Sequence, residues 1–175
     1  MALLGSPSTV QAEISTVNNA LAKRIKQAAD YYGYEGIIEP GMIQLIEEEG
    51  FSAGNYDDDV GVNTQGVGQT EDNIGQNFFT ETYPKYMARS ASRVKGFAEM
   101  PEDLQGAILS GVYRGDIPKG SDTARLLSEG EYAAAAEEYL NHAEYERRKE
   151  ANPKDGVVRR MDRNAAVMRK YGKSK

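Results

Sequence analysis

The sequence predicts an α+β protein: mostly helical, with a small β-hairpin lobe in its first half and a helical C-terminal lobe. Three observations lead there. Apolar residues recur at spacings of three and four along most of the chain, as in amphipathic helices. That pattern breaks over residues 51–70, where glycines at 54, 61, 66 and 68 and aspartates at 57, 58 and 59 surround Val62, Thr64 and Val67. Turn formers interleaved with apolar positions read as short strands and tight turns. The helical pattern then resumes to the C-terminus without internal repeats or low-complexity tracts.

Taken in order, Ser8 or Thr9 can cap a helix over 8–32, whose apolar stripe is Ile14, Val17, Leu21, Ile25, Ala28 and Tyr32. Residues 33–38 connect it to a shorter helix that follows Pro40 and runs to about Glu49, with Gly50 placed to end it in a left-handed conformation. After the β segment, residues 71–95 form helix around Phe78, Phe79, Tyr83 and Tyr86, with Pro84 as a break or kink. Pro101 opens the next helix at its first position. Glu102 and Asp103 follow in the first turn, and Leu104, Ala107, Ile108 and Val112 line the buried face. Two helices over 121–129 and 131–149 separate at Gly130. A last one spans 156–170 with Val157, Met161, Ala165 and Met168 inward. These spans group into an extra N-terminal amphipathic helix over 1–38 and a domain over 39–175. The domain divides into a small lobe over about 39–70, a connecting helix over about 71–95 and a helical lobe over about 96–175.

Composition bounds the function. The 175 residues suffice for a real core, and 27% charged residues with a mean hydropathy of -0.63 read as soluble and globular. Without cysteine there is no disulfide, zinc–thiolate site or cysteine nucleophile, and the single His142 excludes any site that needs two histidines. His142 itself reads as an ordinary helix side chain. The opening Met-Ala-Leu-Leu-Gly-Ser-Pro is short and uncharged for a secretory signal, and no apolar run approaches the roughly 20 residues of a membrane helix. The net charge of -6 divides unevenly. Residues 1–146 hold 10 Lys+Arg and 24 Asp+Glu, whereas residues 147–175 hold 11 and 3. The basic end reads either as a solvated helix face or as a patch for a polyanion such as cell wall. The acidic total argues against nucleic acid as the main partner, because phosphate neutralisation dominates that affinity.

One carboxylate stands out. Met42, Leu45, Ile46 and Glu49 share one helical face, which sets Glu49 on the apolar stripe and Glu47 and Glu48 elsewhere. An unpaired carboxylate on such a stripe is costly, and the negative end of the helix dipole adds to that. Both effects favour the protonated carboxyl, the form a general acid requires.

Asp58 follows nine residues later and Thr64 six after that, within the run EGFSAGNYDDDVGVNTQGVG from Glu49 to Gly68. This run resembles the signature of the phage lysozymes, the glycoside hydrolase family 24 endolysins of T-even and lambdoid type. Their pattern is Glu-Gly, Tyr-x-Asp, Gly, then Thr-x-Gly-x-Gly. The spacing Glu-x8-Asp-x5-Thr is kept, with Gly50, Tyr56, Gly61, Gly66 and Gly68 in register. LSGVYRG at 109–115, the DTARLLSEGEYAAAAEEYL segment and Gly156-Val-Val-Arg-Arg are similar to further family segments, so the likeness covers roughly residues 40–171. Gln69 stands where many members have histidine, Gln65 where an apolar residue is usual, Arg114 where asparagine is usual, and tryptophan is absent.

The resemblance implies a two-lobed lysozyme-like fold and a muramidase acting on bacterial peptidoglycan without cofactor or metal. Glu49 would protonate the glycosidic oxygen. Asp58 and Thr64 would position water or stabilise the oxocarbenium on the far side of the sugar, and Arg159 and Arg160 would bind substrate near Glu49. It also implies synthesis in the host cytoplasm, with action in the periplasm or wall after holin release, or carriage in the virion. Two rivals remain. The chain could keep the fold as a non-catalytic structural or binding component of a phage particle, with residues 8–32 docking other virion proteins. A calcium loop from Asp57 puts Asp59 and Gly61 at its third and fifth positions, but places Gly68 where the twelfth-position glutamate belongs. Arg114-Gly115-Asp116 reads as helix-end packing in preference to an adhesion tripeptide.

Overall fold

A computed structural model describes residues 17–57 and 61–172. The described residues are mostly helical with a small three-stranded antiparallel sheet, the α+β class expected. The chain forms two compact units, which meet in sequence between Lys85 and Tyr86.

In the first unit, α1 (Asn19–Tyr32) begins later than its apolar stripe indicates. Asn18 holds an extended conformation (φ -65°, ψ 156°) and its side chain accepts the Leu21 N–H at 2.9 Å. The short amide side chain satisfies a first-turn donor and ends the helix there. The sequence-expected span 8–16 lies outside the described residues. Leu21, Ile25 and Ala28 are buried within this unit, as the stripe predicts. Gly33 closes α1 in the left-handed region (φ 63°).

Helix α2 (Pro40–Glu49) has Pro40 at its first position, where the missing N–H has no intrahelical partner to lose. Met42, Leu45 and Ile46 are buried. Gly50 differs from the expected left-handed cap: its φ is 73° but its ψ is -167°. Its N–H still closes on the Ile46 carbonyl at 3.0 Å, and the extended ψ leads the chain directly into a strand. The strands are β1 (Ser52–Asp57), β2 (Asn63–Gly66) and β3 (Gln69–Thr70), in that order. Tyr56 faces Thr64, Asp57 faces Asn63, Thr64 faces Thr70, and Gln65 faces Gln69, with an irregularity between Ser52 and Tyr56.

The single helix expected over 71–95 is broken. A 3-10 turn (Glu71–Asn73) comes first, and a π-turn (Phe78–Thr82) then runs into α3 (Tyr83–Arg93). Pro84 explains the π-turn. It cannot donate to the carbonyl four residues back, and the wider register immediately before it, with Thr82 N–H on Asn77 O at 3.1 Å, absorbs the missing bond. Asn77 caps this segment through Phe79 N–H and Thr80 N–H.

The second unit contains a 3-10 turn (Phe97–Glu99), α4 (Glu102–Arg114), α5 (Asp122–Ser128), α6 (Tyr132–Leu140), α7 (Ala143–Ala151) and α8 (Gly156–Gly172). Pro101 is the cap of α4, one position earlier than expected. The expected helix over 131–149 is two. His142 takes an extended conformation, and its Nδ1 accepts the Glu144 N–H at 3.2 Å, so the histidine is a helix cap and not an in-helix side chain. Leu104, Ile108, Val112, Leu127, Tyr139, Tyr145, Met161 and Met168 belong to one core, with α8 packed on α4, α6 and α7. Val158, in place of the expected Val157, is the buried valine. Asn164 of α8 is buried and donates to Ser110 Oγ (2.9 Å) and Tyr139 Oη (3.2 Å), fastening α8 to two neighbours.

Asp155 caps α8: its Oδ1 accepts the N–H groups of Val157 (2.8 Å) and Val158 (3.3 Å). Partial burial opposes its charge, but these donors and the Arg148 guanidinium outweigh it and hold its pKa below the ordinary carboxylate value. A depressed folded pKa gives stability that is present above the unfolded pKa and lost as pH falls through the folded one. The wild type is therefore expected to exceed Asp155→Asn in thermal stability at pH 7, with the gap closing as pH falls below about 4. Denaturation series at both pH values check this.

Candidate functional site

Glu49 ends α2, half-buried, beside the turn that joins β2 to β3. Its side chain lies along the backbone of Gly68. A Cβ added to Gly68 would stand 2.8 Å from Glu49 Oε2 and 3.0 Å from its Cβ and Cγ. The helix-end carboxylate is thus docked on the Gly66-Val67-Gly68 turn.

That turn needs its glycines twice over. Gly66 and Gly68 have φ of 62° and 61°, where a Cβ is strained, and neither has room for a side chain. At Gly66 the space is taken by the Tyr32 hydroxyl and Gln69 Oε1. Between them Val67 is fully buried. The Thr-x-Gly-x-Gly spacing therefore has a steric basis in this chain: one glycine admits Tyr32 and Gln69, the other admits Glu49. Gly68→Ala is expected to cost about 1–2 kcal/mol in backbone strain alone, and to displace the Glu49 side chain. Chemical denaturation reads the first effect, and a shift of the Glu49 side-chain carboxyl ¹³C resonance reads the second.

Thr64, in β2 of the same hairpin, is only 4% exposed, and its hydroxyl donates to the Val62 carbonyl at 3.0 Å. Its oxygen keeps lone-pair capacity to accept a further bond. Asp58 lies outside the described residues. Arg159, exposed, and Arg160, half-buried, lie in the first turns of α8 in the second unit. The structure thus joins Glu49 to the hairpin that contains Thr64. Among the described residues, no group of three or more His, Cys, Asp or Glu side chains could hold a metal ion.

Three departures from the family pattern have packing roles. Gln69 is 2% exposed and faces inward. Its Oε1 accepts from the Tyr32 hydroxyl (2.7 Å) and the Val67 N–H (3.4 Å). Its Nε2 faces the carbonyls of Asn73 (3.2 Å) and Gln76 (3.0 Å) and Thr82 Oγ1 (2.9 Å). Gln65 Oε1 accepts the Gly75 N–H at 3.0 Å. Arg114 bridges Asp116 (2.9 Å) and Glu144 (3.4 Å) around the left-handed Gly115, which accounts for the Arg-Gly-Asp tripeptide as helix-end packing.

Sequence reasoning missed Tyr32 as a neighbour of the site. The available signal was its place on the α1 stripe, four residues after Ala28. Fold and site together define an α+β protein in which a helix-end carboxylate rests on a glycine-built hairpin. No protein-family model matches the chain, and no curated protein matches it.

Proposed function

We propose that this protein is a phage peptidoglycan hydrolase, a muramidase that cleaves the glycosidic bond between N-acetylmuramic acid and N-acetylglucosamine. The observation that supports this most is the docking of Glu49 on Gly68, in the hairpin that contains Thr64. It gives the glutamate and the paired glycines of the resembling motif a shared physical role. Glu49, on a half-buried helix end, acts as general acid on the leaving oxygen. Asp58 and Thr64 serve the opposite face of the sugar, where an inverting enzyme leaves about 6.5–9.5 Å between its carboxyl groups for a water molecule. Arg159 and Arg160 contribute to holding the substrate. No helix among the described residues is long and apolar enough to cross a membrane. The protein acts either as an endolysin released through a holin pore or as a lysozyme carried in the virion.

Mass spectrometry of digested peptidoglycan tests the bond assigned. Disaccharide-peptide fragments ending in reducing N-acetylmuramic acid, each gained by addition of water, are the expected products. Fragments cut only in the peptide, or no fragments, would replace this reading with a peptidase or with a non-catalytic particle component.

A further inference from the structure

Tyr32 lies outside the segment on which the family resemblance rests, yet its side chain ends against the turn that bears on Glu49. Its hydroxyl donates to Gln69 Oε1 at 2.7 Å and fills the space that a side chain at position 66 would need. At its other end its carbonyl accepts Asn77 Nδ2 at 3.1 Å. Its ring meets Phe79 and Phe51 edge-on, with centroids 6.1 and 6.3 Å away. The residue is therefore held by backbone, ring and hydroxyl together. Burial, and then the neighbouring Tyr31, push its phenol up to about 12, so it stays a donor at any pH the protein meets.

We infer that Tyr32 is a positioning residue for Glu49, acting through the Gly66–Gly68 turn. Its catalytic consequence rests on the muramidase reading. The contacts run in sequence. The hydroxyl stops the turn at Gly66 and holds Gln69 Oε1, Gln69 holds the Val67 N–H, and Gly68 supports the Glu49 side chain. Gln69 has three further partners, in Asn73, Gln76 and Thr82, and stays in place without Tyr32. What is lost without the hydroxyl is the stop. The turn gains room on the Tyr32 side, and the surface under Glu49 shifts with it. Helix α1, which the sequence marks as an addition to the catalytic domain, thereby becomes part of the site's scaffold.

Tyr32→Phe and Tyr34→Phe in the full chain test this. Tyr34 is the matched control, since its hydroxyl donates to the Ile37 carbonyl instead. In Tyr32→Phe, kcat on peptidoglycan is expected to fall by roughly tenfold to a hundredfold, the penalty of an ångström-scale misplacement, with KM unchanged. Tyr34→Phe keeps the wild-type kcat. An unchanged kcat in Tyr32→Phe, or an equal loss in both variants, overturns the inference. If the wild type hydrolyses nothing, the muramidase reading fails separately, and the side-chain carboxyl ¹³C resonance of Glu49 decides the positioning. That resonance is expected to move in Tyr32→Phe while that of the exposed Glu47 does not. A Glu49 resonance that stays in place overturns the inference.

Discussion

On the proposed muramidase function, Glu49→Gln is expected to reduce peptidoglycan hydrolysis by about 10²–10⁴-fold, the usual contribution of a positioned general acid. Glutamine keeps the shape and can lie on Gly68 as the glutamate does, but it has no proton to transfer to a leaving oxygen. The fold should survive. Glutamine is neutral and isosteric with the protonated carboxyl that a general acid presents at the end of α2, so thermal stability should stay close to that of the wild type. Lost activity at retained stability would separate a chemical role from a packing one. Circular dichroism melts beside rate measurements make the comparison.

The second large effect belongs to Gln69→Leu. Leucine matches the bulk but none of the polarity. It leaves the Tyr32 hydroxyl, the Val67 N–H, the carbonyls of Asn73 and Gln76, and Thr82 Oγ1 without the amide that now serves them. Each of these groups so abandoned costs about 1–3 kcal/mol where it is buried, and less where it is only half-buried, as at Tyr32, Asn73 and Gln76, or can reach another partner. Thr82 can, since its hydroxyl already donates to Gln76 Oε1 at 3.1 Å. A net loss of about 3–5 kcal/mol is expected, a large share of the about 5–15 kcal/mol that stabilises a typical domain. Urea denaturation and amide exchange at Val67 read it. A loss under about 1 kcal/mol would show that the Gln69 network is dispensable.

The fold class was legible because helices and strands impose different periods on apolar residues, and residues 51–70 change period sharply. Local breaks were less legible. The spacing of three and four runs unbroken from Ile14 to Tyr32, so it conceals the stop that Asn18 imposes through one side-chain bond. Tyr139 and Tyr145 both face the core, which hides the break at His142 between them. Pro84 announced a disturbance, and the chain met it with a π-turn just ahead of the proline. At the site, the helix face of Glu49 and the ordered glycines could be read from spacing alone. The roles of Tyr32 and Gln69 could not. Their bond joins residues 37 apart in sequence, and an inward-facing glutamine is indistinguishable from a substrate-facing one until the turn is built around it.

The most direct test is release of reducing sugar from purified peptidoglycan by the wild-type protein, with Glu49→Gln as its blank, over a broad range of pH and salt. Release by the wild type that collapses in the variant is the expected result, and would establish a muramidase with Glu49 as its acid. Absence of release from either protein, with both folded, would contradict the account and leave the hairpin-docked carboxylate a structural or binding role.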